Sequence, residues 1–418
     1  FSFTELNNVI SVTVCPATGV TAPAAWTLPV SNTGDWEWVE GMEIFIDQTL
    51  YASGNFTQAR YGEVDLSVGG PLDNPTNVVA PGAPANALQD LNDRSRIQLD
   101  DASTIQNPLP LPPYLGVGNT LRTGDTLPGL TGNVNFAFGT YQIEPTLPVN
   151  FTRVNARPDT PDVGSELTVA AYNVLNYFTT IDNAGSICGP LANQGCSGAD
   201  TVDEFTRQRD KIVTAISTID ADVVGLMEIE NAPDNTPEAD LVAGLNAATA
   251  PGTYDYIATG PIGDDAIRVA LLYQPAAVTP LGGFETLDSD DDPLFDDTLN
   301  RPMLVQSFVE NATGEVFTVG VNHLKSKGSA CDGVGDPDIG DGQGNCNVTR
   351  TNAAQAIVDF LAADPTGSGD SDYLIIGDLN AYAKEDPIVT LEAGGYVDLI
   401  ESFVGSGFGA GAYSFNFF

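Results

Sequence analysis

Cations and histidine are what this sequence has least of. Its 418 residues include one His and 15 Lys and Arg, against 56 Asp and Glu, for a net charge of −41. Such a surface stays soluble at high ionic strength and repels polyanions at low salt. It excludes the broad basic face by which proteins hold nucleic acid, so any polyphosphate would have to be held locally, by metal ions or a few cations. Long apolar runs are missing too, and none approaches the roughly 20 residues of a membrane-spanning helix. The opening "FSFTELNNVISVTV" has neither an initiator Met nor a signal-peptide pattern, and is expected to be a cut within a longer precursor. With 42% apolar and 17% charged residues, what remains is a globular composition, long enough for two domains.

The five cysteines are few, but their placement is informative. Cys188 and Cys196 flank "GPLANQG", and Cys331 and Cys346 flank "DGVGDPDIGDGQGN". Neither pair has the tight spacing or neighbouring His of a zinc site. Two loop-stapling disulfides, Cys188–Cys196 and Cys331–Cys346, are the simplest account, and they imply an oxidising location outside the cytoplasm, either free or at the cell surface. Cys15 is left over, with a partner expected upstream of Phe1. Asn55, Asn150, Asn311 and Asn347 begin Asn-x-Thr sequons.

Two halves differ in grammar. Residues 1–150 contain short β-favouring runs such as "ISVTV", "GMEIFI", "YGEVDLSV", "RIQLDD" and "VNFAFGTYQIEP", separated by Gly, Pro and Asn. No long window there shows helical periodicity, and the spacing predicts a small barrel or sandwich. "PLDNPTNVVAPGAPANALQDLND" reads as a long loop with at most a helical turn near its end. Residues 151–166 form a Pro-marked linker. From 167 to 418 strands alternate with amphipathic helices, the pattern of an α/β domain. "ELTVAAYNVLNYF", "DVVGLMEIEN", "IRVALLY", "PMLVQSFVE", "EVFTVGVNHL" and "YLIIGDLN" read as strands. "DEFTRQRDKIVTAISTID" places Ile212, Ile216 and Ile219 on one helical face, and "TRTNAAQAIVDFLAAD" is a second helix.

Ligands gather where strands of such a sheet end, because loops there present side chains from several strands at once. Five strand ends carry polar residues that packing does not require: Asn173, Glu228, Arg268, His323, and the pair Asp378 and Asn380. Singly, each has an ordinary explanation as a turn former or a solvated group. Together they suit metal-assisted phosphodiester hydrolysis. A hard cation such as Mg²⁺ or Mn²⁺ takes one or two carboxylates and keeps positions open for phosphate oxygens, which fits Glu228 with Asn173 beside it. Asp378 can orient or deprotonate water and Asn380 can position it. His323 can donate to a nonbridging oxygen. Lys325 and Lys327 in "NHLKSKGS" supply phosphate-contacting cations, and Arg268 either joins them or pairs with a carboxylate.

"YNVLNYF", "DVVGLMEIEN", "IRVALLY", "NHLKSKGS" and "IIGDLNAYAKEDP" resemble, in this order, the endonuclease/exonuclease/phosphatase superfamily, and most of all its secreted bacterial nucleases. The resemblance covers residues 165–418, and the β-rich half is similar to the OB-like domain that precedes the catalytic domain in those nucleases. It implies a four-layer sandwich of two packed β-sheets flanked by helices, in place of a purely parallel sheet. It assigns Asn173 and Glu228 to a metal site, His323 to the phosphate, and Asp378 and Asn380 to an Asp-x-Asn pair. The superfamily's late Asp-His pair has no counterpart, since no His follows His323 and Asp398 in "YVDLI" does not replace it. Residues 1–418 are therefore expected to be the middle of a nuclease with little activity alone.

Asp332, Asp336, Asp338 and Asp341, set among glycines between Cys331 and Cys346, offer a separate candidate for Ca²⁺, whose hard-oxygen preference a flexible loop can satisfy. They do not follow the EF-hand spacing, and a solvated acidic loop is the simpler account. Three functions stay in competition. One is a secreted metal-dependent nuclease acting on DNA, with RNA as an alternative. A second is a phosphodiesterase for lipids or small phosphate esters. The third is a non-catalytic cell-surface or matrix protein with a nuclease-like fold.

Overall fold

A computed structural model describes residues 10–13, 22–116, 120–156 and 163–403. They form two compact units, one of the N-terminal residues with Leu399–Phe403 and one of residues 163–398.

In the first unit β1 (Ala24–Trp26) runs parallel to β2 (Glu43–Gly54). β2 pairs antiparallel with β3 (Val64–Val68) and with β5 (Thr126–Ala137). β3 pairs antiparallel with β4 (Arg96–Leu99), β4 parallel with β6 (Thr140–Pro145), and β6 antiparallel with β5. The pairing β2-β3-β4-β6-β5 thus returns to β2 and closes a ring of five strands, leaving those strands no open edge. Alternation drives it: Ile44, Ile46 and Leu50 of β2 are fully buried, while Phe45 and Asp47 face out. They meet Leu66, Leu99 and Ile143 in one core.

Two readings of this half change. Ile10–Thr13 form no strand, and Val14 lies outside the described residues, as does Cys15. One connection holds α1 (Gln58–Tyr61), and the segment expected as a long loop with at most a helical turn holds α2 (Pro75–Val78) and the 13-residue α3 (Ala83–Ser95). The buried residues of α3 are Ala85, Asn92 and Ser95, so no apolar stripe marks it. Asn92 instead donates to the Asp73 carbonyl at 3.0 Å, a contact invisible to hydrophobic periodicity.

The second unit has two four-stranded sheets. One contains β7 (Val169–Tyr177), β10 (Val223–Glu230), β11 (Asp255–Tyr256) and β12 (Ile267–Tyr273), ordered β11-β12-β10-β7. β8 (Ile187–Cys188) and β9 (Gln194–Gly195) make a small separate hairpin. The other sheet is β13 (Val278–Leu287), β14 (Arg301–Glu310), β15 (Val316–His323) and β16 (Tyr373–Asp378), in that order. It is antiparallel except for β15–β16. β13 escapes sequence reading because Pro280, Gly282 and Gly283 interrupt it, and its register slips between Leu281 and Glu285.

Three clusters hold these layers. Val223, Met227, Val269 and Leu271 pack with Leu304, Phe308, Val319 and Val321 between the sheets. Val224, Leu226 and Leu272 pack with Ile212 and Ile216 of α4 (Val202–Ile219) and with Leu241 and Leu245 of α5 (Thr236–Ala248). Met303 and Val305 pack with Ala353 and Ile357 of α6 (Asn347–Ala362) and Leu391 of α7 (Asp386–Ala393). β10 is apolar almost throughout because it is covered on both faces. Each fully buried Leu or Val there contributes roughly 1.5–3 kcal/mol. Gly225 lets the sheets approach: a Cβ there would lie 2.6 Å from Ile376 Cδ1 and 3.0 Å from Val321 Cγ2.

Candidate functional site

Asn173 and Glu228 sit where neighbouring parallel strands break register. From Met227↔Asn173 to Ile229↔Tyr177, β10 advances two residues and β7 four. The extra residues form a bulge in which Leu175 and Asn176 have φ 53° and 55°, and Glu228 opposite has φ 65°. Left-handed backbone at three non-glycine residues costs of order 1–3 kcal/mol each and persists only where neighbours enforce it. The neighbours are present. Gln208 Nε2 donates to the Val174, Leu175 and Asn176 carbonyls at 3.2, 2.7 and 3.4 Å. The Asn176 amide donates to Glu228 Oε2 at 3.1 Å, and the Leu175 amide to Asn173 Oδ1 at 2.9 Å.

The other sheet supplies the remaining groups. His323 and Asp378 are register partners at the ends of parallel β15 and β16. The turn after Asp378 needs Gly377, whose φ is +127° and whose added Cβ would lie 2.0 Å from the Asn322 carbonyl oxygen. Asn380, at φ 48°, donates its amide to Asp378 Oδ1 at 3.0 Å and its side chain to the Leu324 carbonyl at 2.9 Å.

These groups meet although far apart in the chain. Asn173 Nδ2 donates to Glu228 Oε1 at 3.0 Å and reaches Asp378 Oδ2 at 3.5 Å. His323 Nε2 lies 3.9 Å from Glu228 Oε1. His323 is only 4% exposed, and its Nδ1 has no hydrogen-bond partner. Its pKa is lowered to about 3, first by burial and then by the charges of Arg301 and Lys325. The imidazole is therefore neutral near pH 7, able to give one N–H without carrying charge. Lys325 is lowered too, by burial first and then by Arg301, while Asp265 opposes.

Not every candidate lies here. Arg268 is 1% exposed and paired with buried Glu238 at 2.6 Å, and its Nη1 donates to Thr259 Oγ1 at 3.1 Å. Lys327 is bound to Glu385 and stacked 4.2 Å over the Tyr382 ring. The acidic loop uses its carboxylates locally. Asp336 accepts from the Val348 and Thr349 amides and the Thr349 hydroxyl, capping α6. Asp338 accepts from the Gly340 amide, and Asp341 from the Gln343 amide and side chain. Asp332 opens a short 3-10 turn. Among the described residues no group of three or more His, Cys, Asp or Glu side chains is placed to hold a metal.

Sequence reading missed Arg301. It pairs in register with His323 across β14–β15 and forms an ion pair with Asp265 at 3.0 Å. The only hint was its position one residue before "PMLVQSFVE". Both expected disulfides are formed, with Cα–Cα distances of 5.1 Å for Cys188–Cys196 and 5.4 Å for Cys331–Cys346. No helix among the described residues is long and apolar enough to cross a membrane.

The residues fit a small hard cation that keeps most of its waters at one point, the half-buried Glu228 carboxylate, because Asn173 turns its N–H to Glu228 and Asp378 and its oxygen to the Leu175 amide.

A profile of the Endonuclease/Exonuclease/phosphatase family matches residues 170–418. Similar solved structures include an endonuclease/exonuclease/phosphatase family protein from Bacteroides thetaiotaomicron, 18% identical over 55% of this chain and 69% of that chain, with a TM-score of 0.35. Another is mannosyl-6-phosphatase of Bacteroides thetaiotaomicron VPI-5482, 18% identical over 55% and 71%, also at 0.35. A conserved protein of Enterococcus faecalis V583, described as functionally unknown, is 17% identical over 54% and 72%, again at 0.35. No curated protein matches.

Proposed function

The chain belongs to the endonuclease/exonuclease/phosphatase family, and on that premise we propose that it is a secreted, divalent-metal-dependent phosphodiesterase acting on extracellular nucleic acid, DNA first and RNA as the alternative. The observation that carries this is the meeting of Asn173, Glu228, His323 and Asp378 within 3.0–3.9 Å links, across 205 residues of chain.

Glu228 would hold the cation, Mg²⁺ or Mn²⁺, with Asn173 beside it orienting the carboxylate through its side-chain N–H. When bound, the cation supplies Lewis-acid polarisation of a phosphoryl oxygen. The protein's own part is positioning. The bulge at 174–176 fixes the Glu228 carboxylate through the Asn176 amide. Asp378, held by the Asn380 amide, accepts a proton from an attacking water or orients it. Asn380 acts through Asp378, since its own side chain is committed to the Leu324 carbonyl. Neutral His323 donates to a nonbridging oxygen as charge builds there. Lys325 and Arg301 border the imidazole and favour an anion. Arg268 and Lys327 are better read as buried-pair residues than as phosphate contacts.

We assign residues 1–150 to an OB-like domain, 151–166 to a linker and 167–418 to the catalytic domain, read as a four-layer sandwich. Support for the first is the closed ring of five strands, the strand number of an OB barrel. The two disulfides support an extracellular setting, free or surface-attached. Ca²⁺ at the 332–341 loop gains no support, because three of its four carboxylates are engaged by the loop and α6.

One feature favours a second reading, hydrolysis of a small phosphate ester: a net charge of −41 repels a polyanion. Plasmid DNA, RNA, sphingomyelin and a small phosphate ester, each incubated with the full-length protein plus Mg²⁺ or chelator, separate the two. Metal-dependent DNA cleavage is expected. Turnover of the small ester alone selects the second reading, and no metal-dependent turnover of any substrate selects a non-catalytic protein.

A further inference from the structure

We propose that the Cys188–Cys196 hairpin is a positioning element for the cation beside His323, with Gln194 as the side chain that transmits its hold. This rests on the reading of the site given above. A single side chain clamps both ends of a three-residue segment: Gln194 Nε2 donates to the Asp264 carbonyl at 2.6 Å, and Gln194 Oε1 accepts from the Ala266 amide at 3.2 Å. Between the clamped residues lies Asp265, whose carboxylate pairs with Arg301 at 3.0 Å. Arg301 is in turn the cross-strand partner of His323.

The hairpin is itself anchored. Cys188 and Cys196 are buried in a small cluster with Phe178, Ala266 and Ile267, so the disulfide packs on the same segment that Gln194 grips. Gly189 lies close against it, since a Cβ there would be 3.5 Å from Ala266 Cα. From the opposite side Asn231 donates to the Ile262 and Asp265 carbonyls, both at 2.8 Å. The Asn231 backbone amide also holds the Ala266 carbonyl at 2.8 Å, and Gln194 takes two groups of the segment that Asn231 does not, the Asp264 carbonyl and the Ala266 amide.

The clamp matters because the pair it supports is weak in isolation. The Asp265 side chain is 39% exposed and that of Arg301 15%. An ion pair so near solvent gains little by itself, and a long Arg side chain loses rotamer freedom in forming it. What the clamp adds is a hold on the Asp265 backbone from both of its neighbours, the Asp264 carbonyl and the Ala266 amide. A displacement of about 1 Å in a charged group beside reacting atoms is enough to change turnover by one or two orders of magnitude.

The test is a double-mutant cycle of Gln194→Ala and Arg301→Ala. It is read as kcat/KM for metal-dependent phosphodiester hydrolysis and as Tm, with hydrogen exchange at the 262–266 amides and the NMR signal of the Arg301 Nε–H. Gln194→Ala is expected to lower kcat/KM about tenfold at unchanged Tm, to expose the Ala266 amide to exchange, and to broaden the Arg301 Nε–H. In the Arg301→Ala background it should cost nothing further. A merely structural role would instead reduce activity equally in both backgrounds, and that result overturns the proposal, as does unaltered kcat/KM. If Gln194→Ala melts early, Gln194→Glu replaces it, keeping the acceptor for Ala266 but not the donor to Asp264. A wild-type protein that hydrolyses no phosphodiester sinks the functional reading. In that case the Arg301 signal decides the clamp, and a signal indifferent to Gln194→Ala ends it.

Discussion

Both units bury paired ions, Asp125 with Arg153 in the strand ring among them, and they differ in what else they bury. In the strand ring, Asp65 and Asp100 are raised to about 6, mainly by burial. Arg96, the one cation that opposes this at Asp65, is already paired with Asp93 at 3.1 Å. Asp100 Oδ1 has no hydrogen-bond partner. The α/β unit instead buries cations together with their partners. Arg268 pairs with Glu238, Lys327 with Glu385, and Arg350 donates to the Lys325, Asn345 and Gln343 carbonyls. A lone buried carboxyl answers to pH, whereas a buried pair is a scaffold that fails only when one member is removed.

Strain divides the same way. In the ring unit, the exposed Phe138 at φ 51° and Gly139 at φ 86° form the tip of the β5–β6 hairpin. In the α/β unit, Leu175, Asn176, Glu228 and Asn380, four of its left-handed non-glycine residues, lie at the candidate site, while Ala192, Asp220, Cys346 and Asp364 lie elsewhere. Strain at a loop tip is local. Strain on residues whose neighbours bond them in place, as Asn176 bonds Glu228 and Asn380 bonds Asp378, makes that place a candidate for function.

The largest effect should come from splitting the Arg268–Glu238 pair. Arg268→Met leaves a buried carboxylate alone and is expected to cost about 3–5 kcal/mol, measured by hydrogen exchange of the β10 and β12 amides. Adding Glu238→Leu should recover most of it. Where the single variant is still folded its turnover should stay within about twofold of wild type, a smaller loss than removing a substrate contact gives. A larger loss would return Arg268 to the phosphate.

His323→Ala and Asp378→Ala come next, each lowering turnover of the full-length enzyme by at least about a hundredfold in a hydrolysis assay. Normal rates in both would show that the strained cluster is not the site. The ring unit should respond to pH more gently. Folded Asp100 holds its proton to about pH 6, against 3.8 for the ordinary carboxyl, so between those values the folded state binds more protons. Its contribution is therefore fully present below 3.8 and lost as pH rises through about 6. All three Trp residues, at 26, 36 and 38, lie in this unit, so Trp fluorescence follows its urea midpoint alone. That midpoint should rise as pH falls from 7 to 5, and Asp100→Asn should flatten the dependence. The smallest effect is Phe138→Asn, which installs the residue that favours positive φ before Gly and should stabilise the ring unit by about 1 kcal/mol in the same titration. A destabilised hairpin would mean that the Phe138 ring contributes packing.

Much of the α/β unit was legible because its strands are apolar runs that end abruptly. Asn173, Glu228, His323 and Asp378 could be picked out as polar residues that no packing rule placed there, and they stand within reach of one another. Arg268 belonged to the same list for the same reason, but its partner Glu238 lies thirty residues earlier on α5. A charge inside "IRVALLY" looks alike whether it meets a ligand or a buried carboxylate. The 332–341 loop offered the same ambiguity, since its carboxylates match Ca²⁺ and equally match the backbone amides that Asp336, Asp338 and Asp341 accept from. α3 was hidden because its buried face is partly polar.

Residue order alone pointed to most of the long strands, to the two helices α4 and α6, to the loops the cysteines close, and to the polar groups at the strand ends. These follow from periodicity, backbone preference and side-chain type, all readable within a few residues. Which groups touch was decided only by folding. Register between β14 and β15 brought Arg301 to His323, a slip between β7 and β10 turned Glu228 toward Asn173, and a hairpin from residues 187–195 closed on the segment that carries Asp265. Such contacts depend on strand offset and sheet packing, to which distant parts of the chain contribute jointly, and no local stretch encodes that sum.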